Sequence, residues 1–206
     1  MTETPKIFRS DDELLASMRA SAYEELLFFS NKGKEERERW VVAEFLQHRG
    51  IDFLSSELDS PNQRSKTDVH FRGASFQVKE ILAPGTKRSD EISANYERLM
   101  EATKLEDVIG PQFSYDVPPP TTIYALVSAQ ASQLAFEEKY RSSKHELDLL
   151  FYVTRTNASL VRQEEIDAAA LSALGWRSIS CLAGSQATVL FAHSNAPSFL
   201  HSPNGG

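Results

Sequence analysis

The sequence predicts an α/β fold in which a central mixed β-sheet carries α-helices on both faces. Three observations predict it. Helical runs with one apolar side open the chain and recur along it. Two alternating segments meet at Gly73 in the pattern of a hairpin. The segment 147–154 is apolar almost without a break, as a strand buried on both faces would be.

Residues 11–31 read as a helix whose apolar side is Leu14, Leu15, Met18, Tyr23, Leu26 and Leu27, broken at Asn31 and Gly33. A second helix follows over 34–49 and stops at Gly50, the residue that suits a helix C-terminus. Residues 51–58 read as a short strand, and 60–66 as a polar loop. Strands over 67–72 and 75–82 come next. Pro84 and Gly85 mark a turn, and Ser89 or Asp90 caps a helix running to about 106, with Ile92, Tyr96, Leu99 and Met100 on its core side. The proline-rich stretch from Gly110 to Pro120 reads as a long loop, because neither side of it looks like a complete domain. Residues 121–143 read as helical, although 121–127 would also pass as a strand. A helix over 163–174 precedes Gly175. Strands at 176–182 and 187–192 join around Gly184, and the tail from Ser194 reads as a loosely packed strap. The expected organisation is a single domain, with a helical extension over 1–32, a core over 33–193 and a tail over 194–206.

Composition narrows the function classes. The polar start of the chain and the lack of any long apolar run point to the cytoplasm and away from a membrane partner. Cys181 is the one cysteine, so neither an internal disulfide nor a thiolate zinc cluster can form, and its apolar surroundings read as core. The net charge of −7 counts against a protein that coats nucleic acid unspecifically. It leaves room for a local basic groove, with Lys32, Lys34, Arg37 and Arg39, then Arg64 with Lys66, then Lys87 with Arg88, as clusters that otherwise read as solvated surface. His145-Glu146 begins like a zinc-protease motif, but Leu149 stands where the second histidine belongs. No P-loop or GxGxxG is present, and Trp40 and Trp176 read as packing residues.

The chemistry concentrates between Lys66 and Glu80. Val69 and Phe71 alternate with polar residues on one arm, Phe76 and Val78 on the other. A two-residue turn at Gly73-Ala74 would set Asp68 opposite Lys79 and His70 opposite Gln77, all four on one polar face. His70 reads equally as a phosphate contact or a plain surface histidine. A carboxylate, an amide oxygen and an ammonium so grouped could bind a hard divalent cation through Asp68 and Gln77. Such a cation would activate water and neutralise a phosphodiester, while Lys79 positions the water or steadies the developing charge. A second carboxylate is expected from the preceding helix. Glu38 heads the inward stripe of Val41, Val42, Phe45 and Leu46; Glu35 lies near its edge and is the runner-up, and Glu36 lies off it. Neither Asp68→Ala nor Lys79→Ala would open a core cavity, so stability is expected to move little.

Asp68-x8-Gln77-x-Lys79 on a hairpin, after a helix carrying Glu38, resembles the PD-(D/E)XK nuclease superfamily in its Q-x-K variant. The stretches 36–42 and 71–77 also resemble an uncharacterised bacterial family labelled as endonucleases, over most of residues 10–200. The resemblance implies a restriction-endonuclease-like core, with Glu38, Asp68, Gln77 and Lys79 as the catalytic set. It implies Mg²⁺ or Mn²⁺ held by Asp68, Gln77 and Glu38, and nucleic acid, DNA foremost, as the partner; a homodimer is compatible with it. Two departures stand out. Thr67 replaces the proline of the superfamily name, and Gln77 replaces an acid, which lowers metal affinity. Glu80 alternates to the opposite face and is a poorer ligand. The competing readings are an ordinary solvent-facing hairpin with an Asp68–Lys79 ion pair, a nuclease-fold protein without turnover that binds nucleic acid or protein, and a regulatory partner that reuses the fold.

Overall fold

The computed structural model describes residues 10–62, 65–82, 87–108, 121–154, 156, 158–159 and 161–201. Its helices are α1 (Asp11–Phe29), α2 (Lys34–His48), α3 (Arg88–Glu101), α4 (Leu105–Val108), α5 (Ile123–Ala135) and α6 (Ala168–Ala173). Its strands are β1 (Val69–Phe71), β2 (Ala74–Ile81), β3 (Thr121–Thr122), β4 (Asp148–Val153), β5 (Ala158–Ser159), β6 (Ser178–Ala183) and β7 (Gln186–Ala192). The chain divides into two compact units, residues 1–34 with 86–116 and residues 35–85 with 117–206.

The first unit is helical. Ser10 Oγ accepts the Glu13 N–H at 3.2 Å, and three acidic residues in the first turn of α1 favour its N-terminal dipole. Leu15 and Ala22 of α1 bury against Leu99, Ala102 and Val108. Arg19 donates to the Leu99 carbonyl at 2.9 Å and to the Ala102 carbonyl at 2.5 Å, satisfying acceptors that the end of α3 leaves open. The single helix expected to about 106 is two, because the Asp107 carboxylate turns back to the Thr103 and Lys104 N–H groups at 2.9 and 3.2 Å and starts a new turn.

The second unit is built on a five-stranded sheet in the order β1-β2-β4-β6-β7. β2, β4 and β6 run parallel, and β1 and β7 close the edges antiparallel. One face carries Val69, Phe71, Phe76, Val78, Leu150 and Leu182, packed against Val41, Val42, Phe45 and Leu46 of α2. The other carries Leu149, Phe151, Ile179 and Cys181 beneath Val127, Ala131 and Leu134 of α5 and Leu171 of α6. A mixed sheet flanked by helices is therefore the architecture, as the alternation and the apolar run predict.

Several elements depart from the sequence reading. Residues 51–58 form no strand: the Glu57 carboxylate accepts the Leu54 N–H at 2.8 Å and closes a 3₁₀ turn over Ser55–Glu57, leaving Asp59 to make one bridge to His70. The helix expected to reach 143 ends at Ala135, because Glu137 is extended and a separate 3₁₀ turn, Glu138–Tyr140, buries the Tyr140 ring. The helix expected over 163–174 splits into a 3₁₀ turn at Gln163–Glu165 and α6, restarted where Asp167 accepts the Ala170 N–H at 2.9 Å. The tail is not loose as far as Leu200, which is 1% exposed, and the Phe199 ring lies 5.3 Å from that of Phe71. The turn at Pro84-Gly85 and the stretch from Gly110 to Pro120 lie outside the described residues.

Candidate functional site

The hairpin turns at Arg72-Gly73, one residue earlier than the alternation suggested. Both central residues have positive φ, 40° and 82°, the requirement of a type I′ turn whose twist matches the strands it joins. Val69 therefore faces Phe76, His70 faces Ser75, and Phe71 faces Ala74. The expected register is displaced by two residues. Because a strand repeats every two residues, the displacement leaves each side chain on its expected face but changes its partner. Asp68 lies beside Gln77 and not opposite Lys79.

That change builds the site. The Asp68 N–H donates to the Phe76 carbonyl at 2.8 Å, which fixes the backbone where β1 begins. Asp68 Oδ2 accepts the Val78 N–H at 2.9 Å and a hydrogen bond from the Gln77 amide nitrogen. The Gln77 carbonyl oxygen accepts from the Tyr140 hydroxyl at 3.1 Å, and Gln77 is only 4% exposed. Tyr140 packs edge-on against Trp176, with ring centroids 5.2 Å apart. Burial raises the Tyr140 hydroxyl above the ordinary phenol range; the Lys139 ammonium pulls it back, and the Asp68 carboxylate pushes with burial. The Lys139 ammonium lies 4.8 Å from the Tyr140 ring centre and pairs with Glu137 at 2.7 Å, which raises its own pKa. Lys66, two residues before Asp68, donates to Ser143 Oγ at 3.1 Å.

Lys79 shares the Gln77 face, half-buried, with Phe151 of β4 as its register neighbour. Pairing with β1 stops at Asp68, so the described strand pairing of Lys79 to Ile81 lies on the β4 side. His70 is half-buried, its ring nitrogen Nδ1 3.4 Å from Ser75 Oγ, and its backbone is tied to Asp59. Glu38 lies on α2, which packs against the opposite face of the sheet. The Trp40 ring lies 5.5 Å from that of Tyr152, the β4 neighbour of Glu80, and the Phe45 ring lies 6.1 Å from that of Phe76. α2 thus runs antiparallel to β2 along the face that carries Val78 and Glu80, with Trp40, in its second turn, at the level of Glu80. Glu38 is half-buried, and Glu35 and Glu36 are exposed.

Among the described residues, no three His, Cys, Asp or Glu side chains group as a metal cage. The donor set at the hairpin is one carboxylate and one amide, and the amide presents N–H to that carboxylate. As placed, the amide oxygen accepts from the Tyr140 hydroxyl, so the charged oxygens of the pair are those of Asp68.

Two features escaped the sequence reading. Tyr140 stands in the charged run Glu137-Glu138-Lys139-Tyr140-Arg141, which looked like the exposed end of a helix; an aromatic among charges was its one signal. Asp148 is fully buried and accepts from Ser75 N–H at 2.8 Å, Ser178 Oγ at 2.8 Å and Arg177 Nε at 3.0 Å, with a second guanidinium contact besides. Arg177 also donates to the Gly73 carbonyl at 3.2 Å. The pair clamps the hairpin turn to β4 and β6. A lone charge at the head of an apolar strand signals it, though the partner follows only from the strand order.

A family model described as "Putative endonuclease, protein of unknown function (DUF1780)" matches residues 10–206. A solved structure from Pseudomonas aeruginosa strain PAO1, described as a protein of unknown function of the monooxygenase superfamily, is similar at 25% identity. Its TM-score is 0.55, and the match covers 94% of this chain and 92% of that one. No curated protein matches the chain in sequence.

Proposed function

The chain belongs to this endonuclease-labelled family, and from that premise we propose that the polar face of the hairpin hydrolyses phosphodiester bonds in nucleic acid, DNA foremost, with Mg²⁺ or Mn²⁺. The observation that supports the reading best is the convergence of the Asp68 carboxylate and the Gln77 amide at the start of β1, with Lys79 on the same face. A divalent cation, when bound, lowers the pKa of its water and neutralises charge on the phosphate. Asp68 supplies the charged oxygen that attracts it, already oriented by the Val78 N–H. Gln77 supplies an amide oxygen only if its amide turns over, since its nitrogen faces Asp68 as described. Lys79 either orients or deprotonates the attacking water or, as an ammonium, steadies charge on the phosphate. Tyr140 holds the Gln77 amide in its present orientation through its hydroxyl, so the turned amide would present its N–H to the Tyr140 oxygen instead. Glu38, on the helix packed against the other face of β2, is the remaining carboxylate candidate.

A second reading is favoured by that same amide orientation: a nuclease-fold protein that binds nucleic acid without cutting it. Gln77→Glu separates the two. It restores the missing charge, so Mn²⁺ should bind more tightly by calorimetry, and cleavage on a gel should persist or increase. The binding reading expects no cleavage in either protein and nucleic-acid binding indifferent to metal. If neither protein binds Mn²⁺ and neither cuts, hydrolysis is rejected.

A further inference from the structure

Phe136 is 83% exposed, the most exposed large hydrophobic side chain among the described residues. It ends α5, and the turn that follows carries Tyr140 to Gln77. Four residues of chain span at most about 14 Å, so Phe136 lies within a few nucleotides' reach of Asp68 and Gln77. Cations accompany it. Lys139 lies against the Tyr140 ring, Arg141 follows, and Lys66 reaches Ser143 in the same segment. Lys139 and Arg141 are held by Glu137 and Glu138 at 2.7 and 2.9 Å in exposed pairs, which are weak enough for a phosphate to compete for them. An exposed aromatic ring among exchangeable cations is the equipment with which proteins hold unpaired bases: the ring takes a base face, and the cations follow the backbone. Paired bases in a duplex show no free face to such a ring.

We propose that Phe136 is a stacking platform for an unpaired nucleobase, and that Phe136 with Lys66 and Lys139 makes the hairpin site select single-stranded segments over duplex. The proposal rests on the reading of that site as one that acts on nucleic acid. Fluorescence anisotropy with a labelled single-stranded oligodeoxynucleotide and its duplex, in EDTA so that neither is cut, tests it on the full chain. The wild type should prefer the single strand. Phe136→Ala should lose roughly 5-fold to 100-fold in affinity for it, the worth of one stacked base, and little for the duplex. Phe136→Trp should keep the affinity, and its added indole fluorescence should be quenched by the oligonucleotide. Phe136 is too exposed for these changes to disturb packing. Equal single-strand binding by wild type and Phe136→Ala, or an equal loss on both substrates, overturns the platform while leaving the site reading intact. Absence of binding to either nucleic acid by the wild type overturns the platform, while metal-dependent cleavage tests the site reading separately.

Discussion

Asp68 is held by the chain it serves. Its carboxylate accepts the N–H of Val78, which is 8% exposed, and the Gln77 amide. Asp68→Ala would leave both donors unpaired near the interior, so it should cost about 1–3 kcal/mol of stability in urea unfolding, against the sequence-based expectation of little change. Asp68→Asn keeps an acceptor oxygen and should cost less, which makes it the cleaner probe of function. Cys181 behaves oppositely to a site residue. Burial pushes its thiol up to about 12 from an ordinary value of 9.0. The native protein should resist iodoacetamide until unfolded. The sign of the linkage follows: the raised pKa keeps the thiol protonated in the fold while the unfolded chain ionises from pH 9.0. Its stabilising contribution is complete below that pH and is lost as pH rises toward about 12, by up to roughly 4 kcal/mol. Tyr140, also raised by burial, adds loss of the same sign. Alkaline unfolding titrations of wild type and Cys181→Ala check it: the variant should show the shallower decline.

At the scale of elements, the hairpin shows what alternation can and cannot say. Faces were legible, since Val69, Phe71, Phe76 and Val78 do bury together. The turn was not, because glycine at either central position satisfies a two-residue loop, and Arg72 at φ 40° gave no signal in the sequence. The choice determines whether Asp68 meets Gln77 or Lys79. Gly73→Ala should cost about 1–2 kcal/mol through the left-handed backbone alone, although a Cβ there would meet nothing within 4 Å. The clamp beneath the turn is the heavier contributor. Asp148→Ala leaves Arg177 and the Ser75 N–H without their buried acceptor and should cost roughly 3–5 kcal/mol in urea unfolding, with the loss felt in the hairpin. An unchanged denaturation midpoint would contradict that role. Tyr140 was illegible for a related reason: no glycine or proline marks the end of α5, which stops at Ala135 with Phe136 as its C-cap.

For the molecule as a whole, helices with apolar stripes and an almost unbroken apolar strand were enough to indicate a mixed sheet with helices on both faces. The order β1-β2-β4-β6-β7 was not, since pairing between segments as distant as Phe76 and Asp148 leaves no local trace. The side of the sheet on which α2 lies was equally hidden. It follows from the apolar stripe finding the apolar hairpin face, which puts α2, the helix that carries Glu38, on the side opposite Gln77. With a net charge of −7, phosphate binding at the proposed site would have to rest on local cations such as Lys66, Lys79 and Lys139. The most direct measurement of the central claim is a cleavage assay of the purified protein on single-stranded and duplex DNA with Mg²⁺, Mn²⁺ or EDTA, beside Asp68→Asn and Lys79→Ala variants shown to be folded by circular dichroism. The hydrolase account predicts metal-dependent cutting by the wild type, abolished in both variants and in EDTA. Cutting that survives in either folded variant, or no cutting of any substrate with either metal, would contradict it.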